Sequence, residues 1–178
     1  MMNQKVLKKF LRIASEELTG EWVLIGGTVL PALGIDYRAT TDIDFICLEE
    51  NQRRDLLKLM HIAEKLGLPV ESINQAGAYF LEKISDYKNN LVLLQKTNKL
   101  KIYRPNITLY IQLKIARMSE ADLSDCLQML QYTKNNHEKY SVAKLEKIVS
   151  SEVQKTDNHA KVLRLKELLR VVEFSMTK

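Results

Sequence analysis

Trp22-Val23-Leu24-Ile25 runs into Gly26-Gly27-Thr28, and fourteen residues (28–41) separate Gly27 from Asp42-Ile43-Asp44-Phe45-Ile46-Cys47-Leu48. A short apolar run closed by a glycine pair has the length and punctuation of a buried strand entering a tight turn. Paired glycines let backbone N–H groups approach an anion closely. A short helix at Thr28–Leu33, with Pro31 in its first turn, would set a positive helix end beside that turn. The second run alternates at its start and then becomes apolar, which suits a second buried strand. On a strand, Asp42 and Asp44 project from one face. Carboxylates so placed repel one another unless a cation lies between them. Mg²⁺ suits that position, because it takes a few carboxylates together with phosphate oxygens and water. A glycine turn facing a carboxylate pair on the next strand therefore describes a site for a metal-bound nucleotide. Either half alone is commonplace, since most glycine pairs only turn the chain and a single Asp-x-Asp often decorates a surface strand or caps a helix.

Outward from this stretch, Val6, Leu7, Phe10, Leu11, Ile13, Ala14 and Leu18 recur at helical spacing, and Gly20 follows as a helix stop. Asn51–Leu66 repeats the helical period and ends at Gly67. The apolar pieces Tyr79–Ile84, Leu91–Leu94 and Leu100–Tyr103, separated by Asn and Lys clusters, predict strands and hairpins. Helical patterns then occupy Thr108–Met118, Glu120–Tyr132, Val142–Val153 and Asn158–Phe174. The change falls near Arg104-Pro105, where proline disfavours helix at the residue before it. Mixed strands and helices followed by helices alone predict an α+β (α/β) fold. The expected division is a sheet core with its N-terminal helix over 1–104 and a helical region over 105–178.

The chain has 178 residues, a single-domain length with room for a helical extension. Hydrophobic residues at 46 % and charged residues at 28 % exclude a disordered chain, a collagen or a coiled-coil rod. Apolar runs such as Trp22–Ile25 are far short of the roughly 20 residues a membrane span needs. The start, MMNQKVLKKFLRIASEEL, carries charges inside its apolar pattern and lacks a small-residue cleavage site, unlike a secretory signal. Two cysteines, Cys47 and Cys126, make no disulfide framework, and a cytoplasmic location is expected. Net charge is +5, and residues 134–178, with 10 basic and 6 acidic residues, hold most of the excess. A basic tail fits contact with phosphates, although solvated helical surfaces are also lysine-rich.

The segment GGTVLPALGIDYRATTDIDF, residues 26–45, resembles the signature of the nucleotidyltransferase superfamily, the fold of DNA polymerase β. It is most similar to the AbiEii-type group of nucleotidyltransferase-like toxins of bacterial toxin–antitoxin and abortive-infection systems. Arg38 with Thr40 or Thr41 matches that group's Arg-x-Thr, Lys114-Ile115-Ala116-Arg117 resembles its Lys-Leu-x-Ala, and Asp122-Leu123-Ser124-Asp125 its Asp-x-x-Asp. The likeness runs from Trp22 to about Leu130. It implies a mixed sheet with flanking helices and a C-terminal helical bundle. It further implies transfer of a nucleoside monophosphate from an NTP to an acceptor hydroxyl with release of pyrophosphate. On this resemblance Asp42 and Asp44 hold Mg²⁺ and are catalytic. Gly26, Gly27 and Thr28 cradle the triphosphate, and Arg38 and Thr41 belong to the nucleotide site. Lys114 contacts phosphate, Asp122 is catalytic, and Asp125 and Arg117 support them. Candidate acceptors are RNA, especially tRNA, a protein side chain, or a small molecule. A candidate partner is an antitoxin protein, and no membrane is involved.

One departure stands out. Active members of the superfamily often carry a third carboxylate on a later strand, yet Leu91–Leu94 contains no acid, and Glu82 and Asp86 are the nearest candidates. A catalytically weak or inactive nucleotide- or partner-binding module is therefore the alternative function. Several residues also have plainer roles. Lys114, between Leu113 and Ile115, can lay its stem on apolar surface with its amine in solvent. Ser119 and Asp122 have the spacing of a helix cap, and Arg38 can form an ion pair. His61, His137 and His159 lack metal-ligand spacing with the cysteines, and Val162, Leu163, Leu165, Leu168, Leu169 and Val172 form a stripe that suits core packing.

Overall fold

A computed structural model describes residues 4–49 and 52–173. The chain forms two compact units, Met1–Pro105 and Asn106–Lys178. The first contains α1 (Gln4–Glu17), β1 (Gly20–Ile25), α2 (Val29–Ala32), β2 (Ile43–Cys47) and α3 (Gln52–Lys65), then β3 (Ile73–Asn74), α4 (Gly77–Glu82), β4 (Leu91–Lys96) and β5 (Leu100–Pro105). The second contains α5 (Ile107–Ile115), α6 (Glu120–Asn135), α7 (Val142–Lys155) and α8 (His159–Glu173). The fold is α+β, as the sequence predicts.

The sheet runs β3-β2-β1-β5-β4. β1 pairs antiparallel with β2 and parallel with β5, while β3 runs parallel to β2 and β4 antiparallel to β5. Alternation sends Trp22 and Leu24 of β1, with Ile43, Phe45 and Cys47 of β2, into one core. The apolar stripe of α1 (Leu7, Phe10, Leu11 and Ala14) and Leu59 and Ile62 of α3 fill the same core. At its centre Phe45 stacks on Trp22 with centroids 4.9 Å apart and meets the edge of Phe10 at 5.3 Å. The indole N–H of Trp22 donates to the Thr19 carbonyl at 2.9 Å, so the buried ring leaves no polar group stranded. These contacts fix the register in which Ile25 lies opposite Asp44.

Three expectations need revision. Residues 79–84 are not a strand, since α4 covers Gly77–Glu82. Only Leu81 of that helix is buried, while Tyr79 and Phe80 are exposed, so the apolar run reflected surface aromatics and not a sheet face. Gly77 explains the close seat of α4, because a Cβ there would stand 2.5 Å from Ile25 Cδ1. Gly20 does more than stop α1, which ends at Glu17, for it opens β1 at φ +86°. Leu56 and Leu57, counted in the apolar period of α3, are exposed. The expected helix boundaries at Asn51 and Phe174 lie outside the described residues.

In the second unit the helices begin where side chains satisfy their first N–H groups. Asn106 Oδ1 accepts from the Leu109 N–H at 3.0 Å, Ser119 caps α6, and Ser141 caps α7. Asn106→Ala should lower stability by about 1 kcal/mol, measured by urea denaturation, with Asn106→Ser retaining most of it. Leu165, Leu168 and Val172 of α8 are buried, so half of the C-terminal stripe packs in the core, while Leu163 is exposed. Among the described residues, no helix is long and apolar enough to cross a membrane.

Candidate functional site

β1 ends at Ile25, opposite Asp44, and the chain then makes one turn of 3-10 helix over Gly26–Thr28. Gly26 adopts φ +69°, and a Cβ built there would lie 1.8 Å from Asp44 Oδ2. The carboxylate thus occupies the space that any other residue would fill. A Cβ on Gly27 would lie 3.0 Å from Arg38 Nη2 and 3.3 Å from Thr40 Oγ1. The two glycines therefore meet a carboxylate on one side and a guanidinium and a hydroxyl on the other. This is an arrangement that faces both a cation and an anion.

The loop between α2 and β2 positions these partners. Arg38 Nε donates to the Tyr37 hydroxyl at 3.2 Å and Nη1 to the Ala39 carbonyl at 3.4 Å. The Thr40 hydroxyl makes a long 3.5 Å bond to the Asp42 carbonyl. Asp42 is exposed just ahead of β2, and Asp44 is half-buried within it. Thr28 is buried, and its hydroxyl donates to the Ile25 carbonyl at 3.0 Å, closing the turn from inside. Of the two threonines before Asp42, Thr40 is the one against the glycines, while Thr41 is exposed in a bend. The helix after the turn has only four residues, so the turn's own N–H groups must supply most of the attraction for an anion.

Gly26→Ala tests this packing. The left-handed conformation alone costs about 1–2 kcal/mol for a residue with a Cβ. Gly67, at φ +64° with nothing within 4 Å of its would-be Cβ, provides the control. Thermal denaturation should show Gly26→Ala losing clearly more stability than Gly67→Ala. Equal losses would mean that Asp44 does not pack against the turn.

Among the described residues, no group of three His, Cys, Asp or Glu side chains converges on a common point. Glu82 ends α4 and lines a separate cavity of about 70 Å³ with Ile46, Cys47 and Tyr87. Asp86 accepts from Asn90 Nδ2 at 3.3 Å. The position paired with Asp44 on β3 is held by Asn74, an asparagine and not an acid. His61 is exposed beside Glu64, and both cysteines are buried free thiols.

The remaining candidate residues gather inside the second unit. α5 ends at Ile115, Met118 takes φ 39°, and Ser119 starts α6 with a capping box that includes Asp122. Lys114 and Asp125 thus lie on different helices, yet Lys114 Nζ reaches Asp122 Oδ1 at 3.1 Å and Asp125 Oδ2 at 2.8 Å. Arg117 grips Asp122 bidentately, with both bonds at 2.7 Å. Lys114 is only 7 % exposed, so its amine is not in solvent as the snorkelling alternative expected. Burial pushes the Asp122 pKa up, but Arg117, Ser119 and Lys114 outweigh it and hold the carboxyl well below the usual range. Burial also pushes the neighbouring Cys126 thiol up to about 12, which leaves it unreactive. From α8, Lys161 Nζ donates to the Ala116 carbonyl and Arg164 Nε to the Met118 carbonyl, pinning the corner. The geometry makes this cluster a charge-matched clamp between α5 and α6.

A sequence model of nucleotidyltransferases of unknown function (DUF6036) matches residues 4–175. No curated protein and no solved structure matches.

Proposed function

The chain belongs to this family of nucleotidyltransferases of unknown function, and from that premise we propose that it transfers a nucleoside monophosphate from an NTP to an acceptor hydroxyl. The reading is carried by one observation, the Asp44 carboxylate seated against Gly26 at the end of β1. The new bond joins the acceptor oxygen to the α-phosphorus, and the bond that breaks joins that phosphorus to the bridging oxygen, so pyrophosphate leaves.

The residues at the turn fit the Mg²⁺ that this chemistry calls for. Asp42 and Asp44 supply two hard oxygen donors, and Mg²⁺ is commonly held by one or two carboxylates plus substrate phosphates. When bound, the ion neutralises charge on the phosphate oxygens and stabilises the leaving group. Arg38 and Thr40 flank the glycines where a phosphate chain would lie, and the guanidinium fork suits phosphate oxygens. Lys114, Arg117, Asp122 and Asp125 act by holding the α5–α6 corner in this reading. In the AbiEii-type version of the proposal, the acceptor is RNA or protein, transfer is toxic, and an antitoxin restrains it.

A second reading is favoured by Asn74 at the register position beside Asp44, where no acid adds to the pair. There the fold binds an NTP with little or no turnover. Incubation with each α-³²P-labelled NTP, Mg²⁺, and cellular RNA and protein separates the two. Label in RNA or protein supports transfer, whereas NTP binding without label selects the binding module. Neither binding nor label would overturn both readings.

A further inference from the structure

Lys5, Lys8, Lys9 and Arg12 project from α1 within one arc of about 100°, given 100° per residue. All four are exposed, and none of their side chains forms an ion pair or a hydrogen bond among the described residues. Glu16, on the same arc, bounds the row at its C-terminal end. The four cations and Gln4 line one open depression of about 480 Å³. Gln4 also lies beside Gly34, in the turn that follows α2 and leads towards Arg38.

We propose that this stripe binds the phosphate backbone of a nucleic-acid strand, the acceptor class for the reaction at the glycine turn. The charges form an open row and do not converge, so they match a linear polyanion better than a single small anion. The seven steps from Lys5 to Arg12 span about 10 Å of helix, a length that matches about three steps along a nucleic-acid helix axis at 3.4 Å each. A lipid surface fits less well. Amphipathic helices that bind membranes insert their apolar side, and here Leu7, Phe10, Leu11 and Ala14 are locked in the protein core. The acceptor role depends on the transferase reading, but strand binding does not.

The test therefore measures binding without turnover. A fluorescein-labelled 20-nucleotide RNA, its DNA counterpart and bulk tRNA are titrated with the wild type and with K5Q/K8Q/K9Q/R12Q. All four sites are exposed and glutamine keeps good helix propensity, so circular dichroism should be unchanged. The wild type should bind at 50 mM salt, and the variant should bind at least about tenfold more weakly. Losing about three phosphate contacts should flatten the plot of log affinity against log salt by about 2 for single strands. A preference for RNA over DNA would name the acceptor, and equal binding would leave the backbone itself as the recognised feature. The proposal is overturned if the wild type binds no nucleic acid, if the variant matches it, or if phosphatidylserine vesicles bind more tightly than every strand. NTP transfer with an intact stripe-independent affinity would sink the stripe alone, and failure of transfer with stripe binding would sink only the catalytic reading.

Discussion

Asp44→Asn should reduce nucleotidyl transfer more than about 100-fold, since even outer-shell partners of metal ligands are worth 10- to 100-fold. The substitution conserves shape, so the packing against Gly26 survives and folding stability should change little. What it removes is one of the two negative charges that the proposed function assigns to a divalent cation. Asp42→Asn should act in the same direction, because that carboxylate stands two residues away at the head of the strand. In both variants, raising Mg²⁺ should recover part of the loss, and the double variant should recover none. Transfer is read as radiolabel from the α-³²P-labelled NTP that the wild type uses. Equal labelling by the wild type and the double variant would remove Asp42 and Asp44 from the chemistry.

Lys114→Met should cost about 3–5 kcal/mol, because it takes the shared ammonium away from two buried carboxylates, Asp125 at 2.8 Å and Asp122 at 3.1 Å, even though Asp122 keeps Arg117 and Ser119. Urea denaturation at pH 7 measures the loss, and adding Asp125→Leu should restore part of it. The same cluster sets a pH dependence. The Asp122 carboxyl is depressed in the folded state relative to an unfolded value near 3.9. Its contribution is therefore fully present above that unfolded value and is lost as pH falls through it towards the folded value. Stability should decline below about pH 5, and Asp122→Asn should decline less over the same range. At a temperature where Lys114→Met remains folded, an unchanged KM for NTP fits the clamp. A KM raised tenfold would return Lys114 to the phosphates.

The strand, glycine turn and acidic strand were legible because their signals are local. Four apolar residues, two glycines and alternating aspartates each dictate backbone geometry within a few positions. The four C-terminal helices were legible for a similar reason, since their apolar period is local and Ser119 marks one start, whereas the Asn106 cap that starts α5 emerges only from the structure. Residues 77–82 were not, because Tyr79, Phe80 and Leu81 give the same apolar run on an exposed helix as on a strand. The seat of Gly77 against Ile25 is a long-range contact with no local mark. The corner at Met118 was also hidden. A left-handed methionine is not foreseeable from sequence, and the Lys114–Asp125 contact follows from the corner and not from helical spacing. The basic row on α1 was visible as letters, but only the burial of the opposite face shows that it must look outward.

The most direct measurement is a crystal structure of the protein soaked with Mg²⁺ and a non-hydrolysable NTP. A triphosphate lying along Gly26 and Gly27, with at least one cation bridging it to Asp42 and Asp44, is the predicted result. A triphosphate bound elsewhere, with both carboxylates turned away from any ion, would contradict the account.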